Sequence, residues 1–316
     1  MLLSIVIPTY NRASLLKRTL DSLSNQMEGI SPSEVEIVVS DNASCDETEC
    51  VCSEFKKKCL LPFRFFRQIE FLPPSLHFIV AMEQAHGEFI KLCNDTLIVR
   101  PNAISWMVQE IRMTQAIKSL PLLWFANGVK GVEPGGCRSV TEMIRKMSYF
   151  STWIMPFGVW RKDLSSVRTI FATDVTRLPQ TIFLLSEMKK GRRVHIIGTR
   201  WCSVQEVPKK GGYNVAEIFG RNYFLILGQY VRNGDISYGN LAREKYRMLR
   251  HINYQYFDWR RRFGFQRTGY FKYMLPIYWR CLYFYLALIY RSSLWSIGWL
   301  MFTVPRTLKT LGECSR

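Results

Sequence analysis

Two short apolar runs near the start of the chain, each ending abruptly at polar residues, constrain the fold more than any other feature. The first is residues 3–12, LSIVIPTYNR, and the second is residues 35–44, VEIVVSDNAS. Runs of β-branched residues that stop at turn residues are typical of buried parallel strands, whose carboxyl ends open into loops. Open α/β sheets bind ligands in the crevice at those ends. The two runs therefore predict an α/β fold with a site beside residues 8–12 and Asp41.

The residues that follow continue the alternation of strand and helix. Leucines at helical spacing predict a helix over residues 13–26, with Asn11 as its cap. The same patterns predict a helix over residues 47–58, a strand over 63–67, a helix over 75–86 and a strand over 89–93. Because each strand–helix–strand unit is a right-handed crossover, the sheet is expected to be mostly parallel.

Three segments, in order, resemble the family-2 glycosyltransferases of the GT-A fold. They are residues 4–12, SIVIPTYNR, residues 38–48, VVSDNASCDET, and residues 87–92, GEFIKL. The resemblance implies a Rossmann-like, mostly parallel sheet flanked by helices. It also implies an inverting transfer of a sugar from a nucleotide-diphosphate donor to an acceptor hydroxyl.

The resemblance carries a set of donor-binding residues. It implies that the loop after the first strand flanks the nucleobase, and that Asp41 accepts a charge-assisted hydrogen bond from the base or ribose. The alternative is that Asp41 only caps the turn after its strand. The donor-binding residues predicted in this way are Pro8, Thr9, Tyr10, Arg12, Asp41, Asn94 and Asp95.

The metal motif departs from the family pattern. Relatives place an Asp-x-Asp after the fourth strand, whose carboxylates hold Mg²⁺ or Mn²⁺ against the diphosphate. Here the matching residues are Asp95, Thr96 and Leu97, so a single acid is left. Three alternatives follow. A metal is bound at Asp95 partly through water, or Lys or Arg neutralises the diphosphate without a metal, or the site is inactive. We predict an active enzyme with weak or no metal dependence.

A second departure is the loop of residues 71–74, FLPP, where relatives carry an Asn-x-Gly turn. Proline fixes the backbone without glycine, so this loop is expected to be stiff and of a different shape. The donor sugar therefore cannot be inferred from the resemblance.

An inverting transfer needs a general base for the acceptor hydroxyl. The resemblance implies an acid just before a helix in the second half of the domain, and Asp174, ahead of an amphipathic run at residues 182–188, is the best match. The alternatives are that Asp174 is a helix-cap residue and that Asp163 has the catalytic role.

The charge of the chain is uneven. The net charge is +18, and residues 209–316 contain 18 Lys and Arg against 5 Asp and Glu, whereas residues 1–208 contain 25 against 20. With KKGG at residues 209–212 as a linker, the chain is predicted to have a GT-A domain, 1–208, and a basic, aromatic, helical C-terminal region, 209–316. No nucleic-acid-binding motif accompanies the charge, so nucleic acid is not an expected partner.

The C-terminal region combines Trp and Tyr with short apolar runs at residues 282–290 and 294–304. Neither run is long enough to span a bilayer, and such composition is typical of helices that lie in a membrane interface. The alternatives to an interfacial role are that these residues form core helices, a dimer contact or a membrane-spanning hairpin over 282–304. The nine cysteines contain no Cys-x-x-Cys pair and are expected to be reduced thiols.

Two functions remain from this reasoning. The first is a glycosyltransferase that acts on a lipid-linked oligosaccharide in bacterial surface-polysaccharide synthesis, of the O-antigen or capsule type. Because the first residues read as a strand without a signal-peptide pattern, it is expected to be peripheral on the cytoplasmic side of the inner membrane. The second is a catalytically weakened GT-A domain that serves as a membrane-docked, nucleotide-sugar-binding or scaffolding subunit.

Overall fold

The computed structural model describes residues 1–24, 26, 29–207, 213–257, 266 and 268–290. In chain order the strands are β1 Leu3–Thr9, β2 Val35–Asp41, β3 Phe63–Arg67, β4 Phe89–Leu92, β5 Leu97–Val99, β6 Leu122–Phe125, β7 Gly135–Cys137, β8 Gly158–Trp160, β9 Val194–Ile197 and β10 Cys202–Val204. The main sheet has the order β3-β2-β1-β4-β8, with β1 to β4 parallel and β8 antiparallel to β4.

Helices flank the sheets. They are α1 Ala13–Ser24, α2 Thr48–Lys58, α3 Pro74–Glu83, α4 Ala103–Gln115, α5 Val140–Met147, α6 Leu164–Thr173, α7 Pro179–Lys189, α8 Tyr223–Arg232, α9 Tyr238–Phe257 and α10 Tyr270–Tyr278. Two 3₁₀ segments, Ser148–Thr152 and Arg161–Asp163, and a π-helical segment, Ala216–Asn222, interrupt this series. Residues 282–290 are also helical.

The order of the strands creates a crevice at one end of the main sheet. From β1 the chain moves outward through β2 to β3, and then returns to place β4 on the other side of β1. The connections therefore diverge between β1 and β4, which is the switch point where such sheets bind ligands. Strands β1 and β2 end in register, with Thr9 beside Asp41. Strand β4 ends two residues before Asn94, so the predicted donor residues meet at this edge.

Burial explains why these strands could be recognised from the sequence. Every residue of β2 and β4 is buried, and only Pro8 of β1 is partly exposed. Strands covered on both faces need apolar side chains on both, which gives the continuous apolar runs of the sequence. The predicted strand and helix order through residue 93 is confirmed, with helix ends that differ by one to three residues.

The cap of α1 differs from the sequence prediction. Asn11 has a positive φ of 50° and its side-chain oxygen accepts the Cys45 N–H at 2.9 Å, so it turns toward the next helix. The Ala13 N–H donates instead to Asp46 at 2.8 Å, and the same carboxylate accepts the Thr48 N–H at 3.2 Å. The prediction that Asn11 caps α1 was therefore wrong. Asp46 joins the starts of α1 and α2 across the loop that follows β2.

A pair of short antiparallel strands includes the residues that follow Asp95 in the chain. β5 pairs with β10, with Leu97 opposite Val204, and Leu97 is 1% exposed. The side chain that replaces the second acid of the family motif therefore belongs to the hydrophobic core. Burying a carboxylate there without a partner would be costly, so this strand favours an apolar residue.

The helices after residue 213 share the core of the sheet. One hydrophobic cluster contains Phe171 and Met147 together with Tyr223, Met248 and Met274. The predicted boundary at residue 208 and the KKGG linker fall on residues 208–212, which lie outside the described part of the chain. The helical character of the C-terminal region is confirmed for α8, α9 and α10.

The aromatic residues of the C-terminal region divide into two sets. Tyr270, Tyr278 and Phe284 are buried in the core, as the core-helix alternative expects. Trp279 is 55% exposed and Leu282 is 73% exposed. None of the helices described in the structure is long and apolar enough to cross a bilayer, and residues 291–304 of the predicted interfacial runs lie outside the described residues.

Candidate active site

The crevice is centred on Asp95, which follows β4. Its carboxylate accepts hydrogen bonds from the Thr9 hydroxyl at 2.9 Å and from Arg12 Nη1 at 3.0 Å. The side chain of Asp95 is 4% exposed, whereas that of Arg12 is 42% exposed. Burial raises the pKa of Asp95, although Arg12 and Thr9 oppose that shift. Within the described residues, the guanidinium of Arg12 is thus bonded to Asp95 through one nitrogen, on a side chain that is partly open to solvent.

The main chain at Asp95 is held from the opposite side. The Thr19 hydroxyl of α1 donates to the Asp95 carbonyl at 2.9 Å, and the side chain of Gln205 donates to Thr19 Oγ1 at 3.2 Å. The Gln205 N–H also donates to the Thr96 carbonyl at 2.8 Å. Two separate segments, α1 and the residue after β10, therefore hold the loop that presents Asp95, in addition to Thr9 and Arg12. Half-buried Asn94 precedes it, and its carbonyl accepts the Leu97 N–H at 3.2 Å.

Asp41 is turned inward. Its side chain is fully buried, and both the hydroxyl and the N–H of Ser44 donate to its Oδ1, the N–H at 3.1 Å. Arg67 Nε lies 3.7 Å from its Oδ2. These are the bonds of a turn-capping aspartate, the alternative that the sequence left open. The predicted hydrogen bond from Asp41 to a base or ribose remains a prediction.

Arg67 is a crevice residue that the sequence reasoning missed. It also donates to the Ser44 carbonyl at 2.7 Å and to Glu49 at 2.8 Å, and its side chain is 44% exposed. The register of the sheet pairs it with Asp41. The sequence feature that could have identified Arg67 is a cation at the end of the strand next to β2.

Two exposed rings flank the crevice. Tyr10 and Phe71 have ring centres 4.9 Å apart and are 43% and 53% exposed. The side chain of Asn42 holds the loop that carries Phe71, because it donates to the Leu72 carbonyl at 2.8 Å and accepts the Leu72 N–H at 2.9 Å. Pro73 then precedes the first turn of α3. The loop of residues 71–74 is thus fixed against the end of β2.

Asp174 ends α6 and organises the loop before α7. Its Oδ1 accepts the Thr176 N–H at 2.7 Å and the Thr176 hydroxyl at 2.6 Å, and its Oδ2 accepts the Leu178 N–H at 2.9 Å. An ionised carboxylate has about four acceptor positions, so one position on Oδ2 is left by these contacts. Asp163, the rival, lies 2.8 Å from Arg192 in an ion pair with 12% of its side chain exposed.

Helix α6, which precedes Asp174, runs antiparallel to α3. At the start of α6, Arg161 donates to the Gly87 carbonyl at 3.1 Å, beyond the end of α3. Arg168 then pairs with Glu83 at 2.9 Å, at the last residue of α3. Helix α6 therefore runs back along α3 toward Pro74. Asp174 follows the end of α6, so it lies nearer the start of α3 than Arg168 does.

The donor set does not fit a divalent cation well. Mg²⁺ and Mn²⁺ take oxygen ligands in octahedral sites. Among the residues described at the crevice, Asp95 has both oxygens already bonded to Thr9 and Arg12, and the carboxylate of Asp41 is buried against Ser44. Within the described residues no group of three or more His, Cys, Asp or Glu could hold a metal. The cation that faces the carboxylate of Asp95 is the guanidinium of Arg12.

Comparisons with known proteins agree with this architecture. Residues 4–122 match the family model described as Glycosyl transferase family 2. This part of the chain is therefore similar to glycosyltransferase family 2.

Two curated relatives match parts of the chain. An abequosyltransferase, RfbV, of Salmonella typhimurium is 35% identical over 28% of this chain and 26% of its own length. The GalNAc(5)-diNAcBac-PP-undecaprenol beta-1,3-glucosyltransferase of Campylobacter jejuni is 31% identical over 34% of each chain. The match thus spans about a third or less of each relative.

A solved structure extends the likeness to almost the whole chain. The mannosyltransferase PcManGT of Pyrobaculum calidifontis, in complex with GDP-Man and Mn²⁺, superposes with a TM-score of 0.54 at 17% identity and covers 98% of this chain and 83% of its own. At that identity the likeness concerns the fold alone. The predicted GT-A fold, with a mostly parallel sheet flanked by helices, is confirmed.

Proposed function

We propose that this protein is an inverting glycosyltransferase that uses a nucleotide-diphosphate sugar. The observation that carries the proposal is the convergence of Thr9, Arg12 and Asp95 at the switch point of a family-2 domain. That edge of the sheet presents an anchored cation to the crevice, where a diphosphate is expected to bind. PcManGT was solved with GDP-Man, which supports a nucleotide-sugar donor for the same fold.

In the proposed reaction the acceptor hydroxyl attacks the anomeric carbon of the donor sugar from the face opposite the diphosphate. The bond between that carbon and the diphosphate oxygen breaks, and its electron pair leaves with the nucleoside diphosphate. The hydroxyl proton passes to Asp174, whose three hydrogen bonds orient the carboxylate and leave one Oδ2 position for it. The sugar is transferred with inverted configuration.

Arg12 is proposed to neutralise the charge that develops on the leaving diphosphate. One of its nitrogens is bonded to Asp95, which leaves the rest of its planar fork for phosphate oxygens. Arg67, the second half-exposed cation of this edge, adds positive charge. This route does not need the metal with which PcManGT was solved, and it follows from the poor fit of the crevice residues to a metal.

The proposed acceptor is a lipid-linked glycan, and the proposed pathway is bacterial surface-polysaccharide synthesis. The Campylobacter relative is named for an undecaprenol-linked oligosaccharide, and the Salmonella relative is an abequosyltransferase. In this chain Phe271, Trp279 and Leu282 are more than half exposed, in a region rich in Lys and Arg. We propose that this surface lies on anionic lipid at the cytoplasmic face of the inner membrane.

Donor turnover tests the proposal. Purified protein is incubated with a panel of UDP-, GDP- and dTDP-sugars, and release of the nucleoside diphosphate is measured with and without a lipid-linked glycan. We expect one donor to be hydrolysed slowly alone and consumed faster with the acceptor. The absence of turnover with every donor, together with nucleotide binding, contradicts an enzyme.

That outcome would instead favour a nucleotide-sugar-binding or scaffolding subunit. One observation supports this second candidate: the carboxylate of Asp41 is fully buried and bonded to Ser44 within the protein. A site whose carboxylates all serve the fold can retain nucleotide without catalysing transfer. Thermal stabilisation by a nucleotide sugar without its consumption is the result that separates the two functions.

A further inference from the structure

A cavity of about 870 Å³ is lined by residues other than the predicted donor-binding residues, most of them between residues 246 and 290. Its walls come from the 3₁₀ segment Ser148–Thr152, helix α9 and the helical residues 282–290. None of the predicted donor-binding residues is among the described residues that line it. The volume falls in the range of sites that enclose a small organic ligand.

One wall of the cavity is aromatic. Tyr149 stacks on His251 with ring centres 4.0 Å apart, and it also lies 4.4 Å from the ring of Phe150. Phe150 in turn packs edge-on against Trp153 at 4.8 Å. Aromatic faces of this kind suit the apolar C–H face of a pyranose ring, because the ring can bury it while its hydroxyls reach polar neighbours. Asn253 and Gln255 supply such neighbours.

The charge of the lining is positive. Lys130, Arg247 and Arg250 line the cavity, and none of the described lining residues is Asp or Glu. Among the described residues these cations form no ion pair with a carboxylate, and Arg247 donates only to a backbone carbonyl, at 2.8 Å. Burial lowers the pKa of His251 to about 4, so the imidazole is neutral at pH 7. Arg247 also interacts electrostatically with the buried Glu244, but none of the three cations is in an ion pair with a described residue, and together they fit an anionic group such as a diphosphate.

The cavity is connected to the loop of Asp174 through one segment. Asn222 of the π-helical segment donates to the Thr176 carbonyl at 3.0 Å. In the same segment, Phe219 packs edge-on against His251 of the cavity wall at 6.2 Å. His251 of the cavity wall therefore packs on the element that also holds the loop of the proposed base.

The cavity also borders the exposed apolar surface. Tyr283 and Ala287 line it, while Leu282, Leu286 and Ile289 of the same helical stretch are 73%, 56% and 64% exposed. This helix thus has a face toward the cavity and another toward solvent. A ligand with a polar head and a hydrocarbon chain can place the head among the cations and the chain along the outer face.

We propose that this cavity binds the diphosphate and the first sugar of a diphosphate-linked glycan lipid, the acceptor. The inference rests on the proposed function and deepens it, because it gives the acceptor a class and a place. The phosphates pair with Lys130, Arg247 and Arg250, and the sugar packs on the aromatic wall.

The test is calorimetric binding of a soluble probe, farnesyl-diphospho-N-acetylglucosamine, to the full chain. The comparison ligands are inorganic diphosphate, N-acetylglucosamine, and vesicles of phosphatidylglycerol and phosphatidylcholine. We expect the probe to bind at least about tenfold more tightly than inorganic diphosphate, because both the cations and the aromatic wall contribute. Equal binding of probe and inorganic diphosphate, or binding only to the vesicles, overturns the proposal.

Variants locate the binding. We expect two cavity variants to weaken probe binding. One is the double variant Arg247→Gln/Arg250→Gln, with a loss of about tenfold or more, and the other is Lys130→Gln, on an exposed loop. Arg243→Gln is the matched control, because Arg243 is exposed on the same helix α9 and does not line the cavity. An equal loss in the control, or no loss in either cavity variant, overturns the proposal. Melting temperatures verify that all variants fold.

Donor hydrolysis by the wild-type protein without acceptor separates this inference from the proposed function. Hydrolysis without probe binding overturns the cavity site and leaves the glycosyltransferase in place. Probe binding that requires the cavity cations, without any donor turnover, supports the cavity site and contradicts the enzyme.

Discussion

The guanidinium of Arg12 lies 3.0 Å from the carboxylate of Asp95, and this ion pair joins the loop after β1 to the loop after β4 across the switch point of the sheet. The pair is asymmetric, since Asp95 is almost fully buried and Arg12 is 42% exposed. Asp95 therefore fixes the position of a cation that faces the crevice, where a diphosphate can reach it.

The first prediction concerns this cation. Arg12→Gln should lower turnover of the preferred donor by about 100-fold, because a positioned charge that meets the developing negative charge is lost. The melting temperature should fall only modestly, by the equivalent of about 1 kcal/mol, because solvent screens the half-exposed guanidinium. Arg18→Gln, on the exposed face of α1, is the control and should retain turnover within about twofold. Equal effects of both variants contradict the role of Arg12.

The second prediction concerns metal. Because Asp95 is the single carboxylate at the motif and is already bonded to Arg12, EDTA should leave donor turnover within about twofold of the untreated value. The measurement is turnover after dialysis against EDTA, with and without added Mn²⁺. Activity that EDTA abolishes and Mn²⁺ restores contradicts the use of Arg12 in place of a metal.

The third prediction separates the two roles of Asp174. Asp174→Asn should lower kcat by about 100-fold or more while donor affinity stays the same, because the amide accepts no proton from the acceptor hydroxyl. Thr176→Val is the control: it removes a hydrogen bond to Asp174 Oδ1 and leaves the carboxylate in place. If both variants lose turnover equally, Asp174 acts only by shaping the loop.

Much of the fold could be predicted from the sequence, and the reason is physical. The strands β1, β2 and β4 are buried on both faces, so their sequences are continuous apolar runs that end where the crevice begins. The positions of the polar residues at and just after the strand ends, such as Asp41 and Asp95, follow directly from that pattern. The loop after a buried strand is the part of such a fold where sequence and position are most closely linked.

The partners of those residues were less predictable. The inward turn of Asp41 depends on Ser44 and Arg67, and the second of these is brought close only by strand register. The cavity is assembled from segments such as residues 148–153 and 246–255, which are almost a hundred residues apart in the chain. No local pattern encodes a contact of that range, and the buried acid Glu244 beneath the cavity was missed for the same reason.

Glu244 provides the fourth prediction. It is 1% exposed and accepts hydrogen bonds from the Ser148 hydroxyl at 2.8 Å and the Tyr223 hydroxyl at 3.0 Å. Burial nevertheless raises its pKa from 4.5 to about 7. Between pH 4.5 and about 7, the carboxyl of Glu244 is protonated in the folded protein and ionised in the unfolded chain. The contribution of Glu244 to the free energy of unfolding is therefore highest below pH 4.5 and falls as the pH rises through about 7.

Glu244→Gln removes that pH dependence because the amide is neutral throughout. The variant should gain stability relative to wild type between about pH 5 and pH 8, by a difference on the order of 3 kcal/mol. Urea unfolding at several pH values measures it. Glu54→Gln, an exposed glutamate on α2, should show no such trend. A difference between Glu244→Gln and wild type that is the same at every pH contradicts a buried acid that titrates near neutrality.

The fifth prediction concerns Gly87, which precedes β4. A Cβ atom at this position would lie 2.5 Å from the Ser4 nitrogen and 2.8 Å from the Leu3 carbonyl carbon, and both are backbone atoms of the central strand. The Gly87 N–H also donates to the Ser4 hydroxyl at 2.7 Å. Because β1 is paired on both sides and cannot shift, Gly87→Ala should lower the free energy of unfolding by about 2–4 kcal/mol.

Gly239→Ala is the matched control for this prediction. Gly239 lies in the first turn of α9, has no atom within 4 Å of its ideal Cβ position, and should tolerate alanine with a gain of about 0.5–1 kcal/mol from the lower backbone entropy of the unfolded chain. Denaturant unfolding of both variants measures the contrast. Similar stabilities for the two variants would mean that β1 and β4 can separate to admit a methyl group, and the crevice between them would then be less rigid than the contacts of Asp95 indicate.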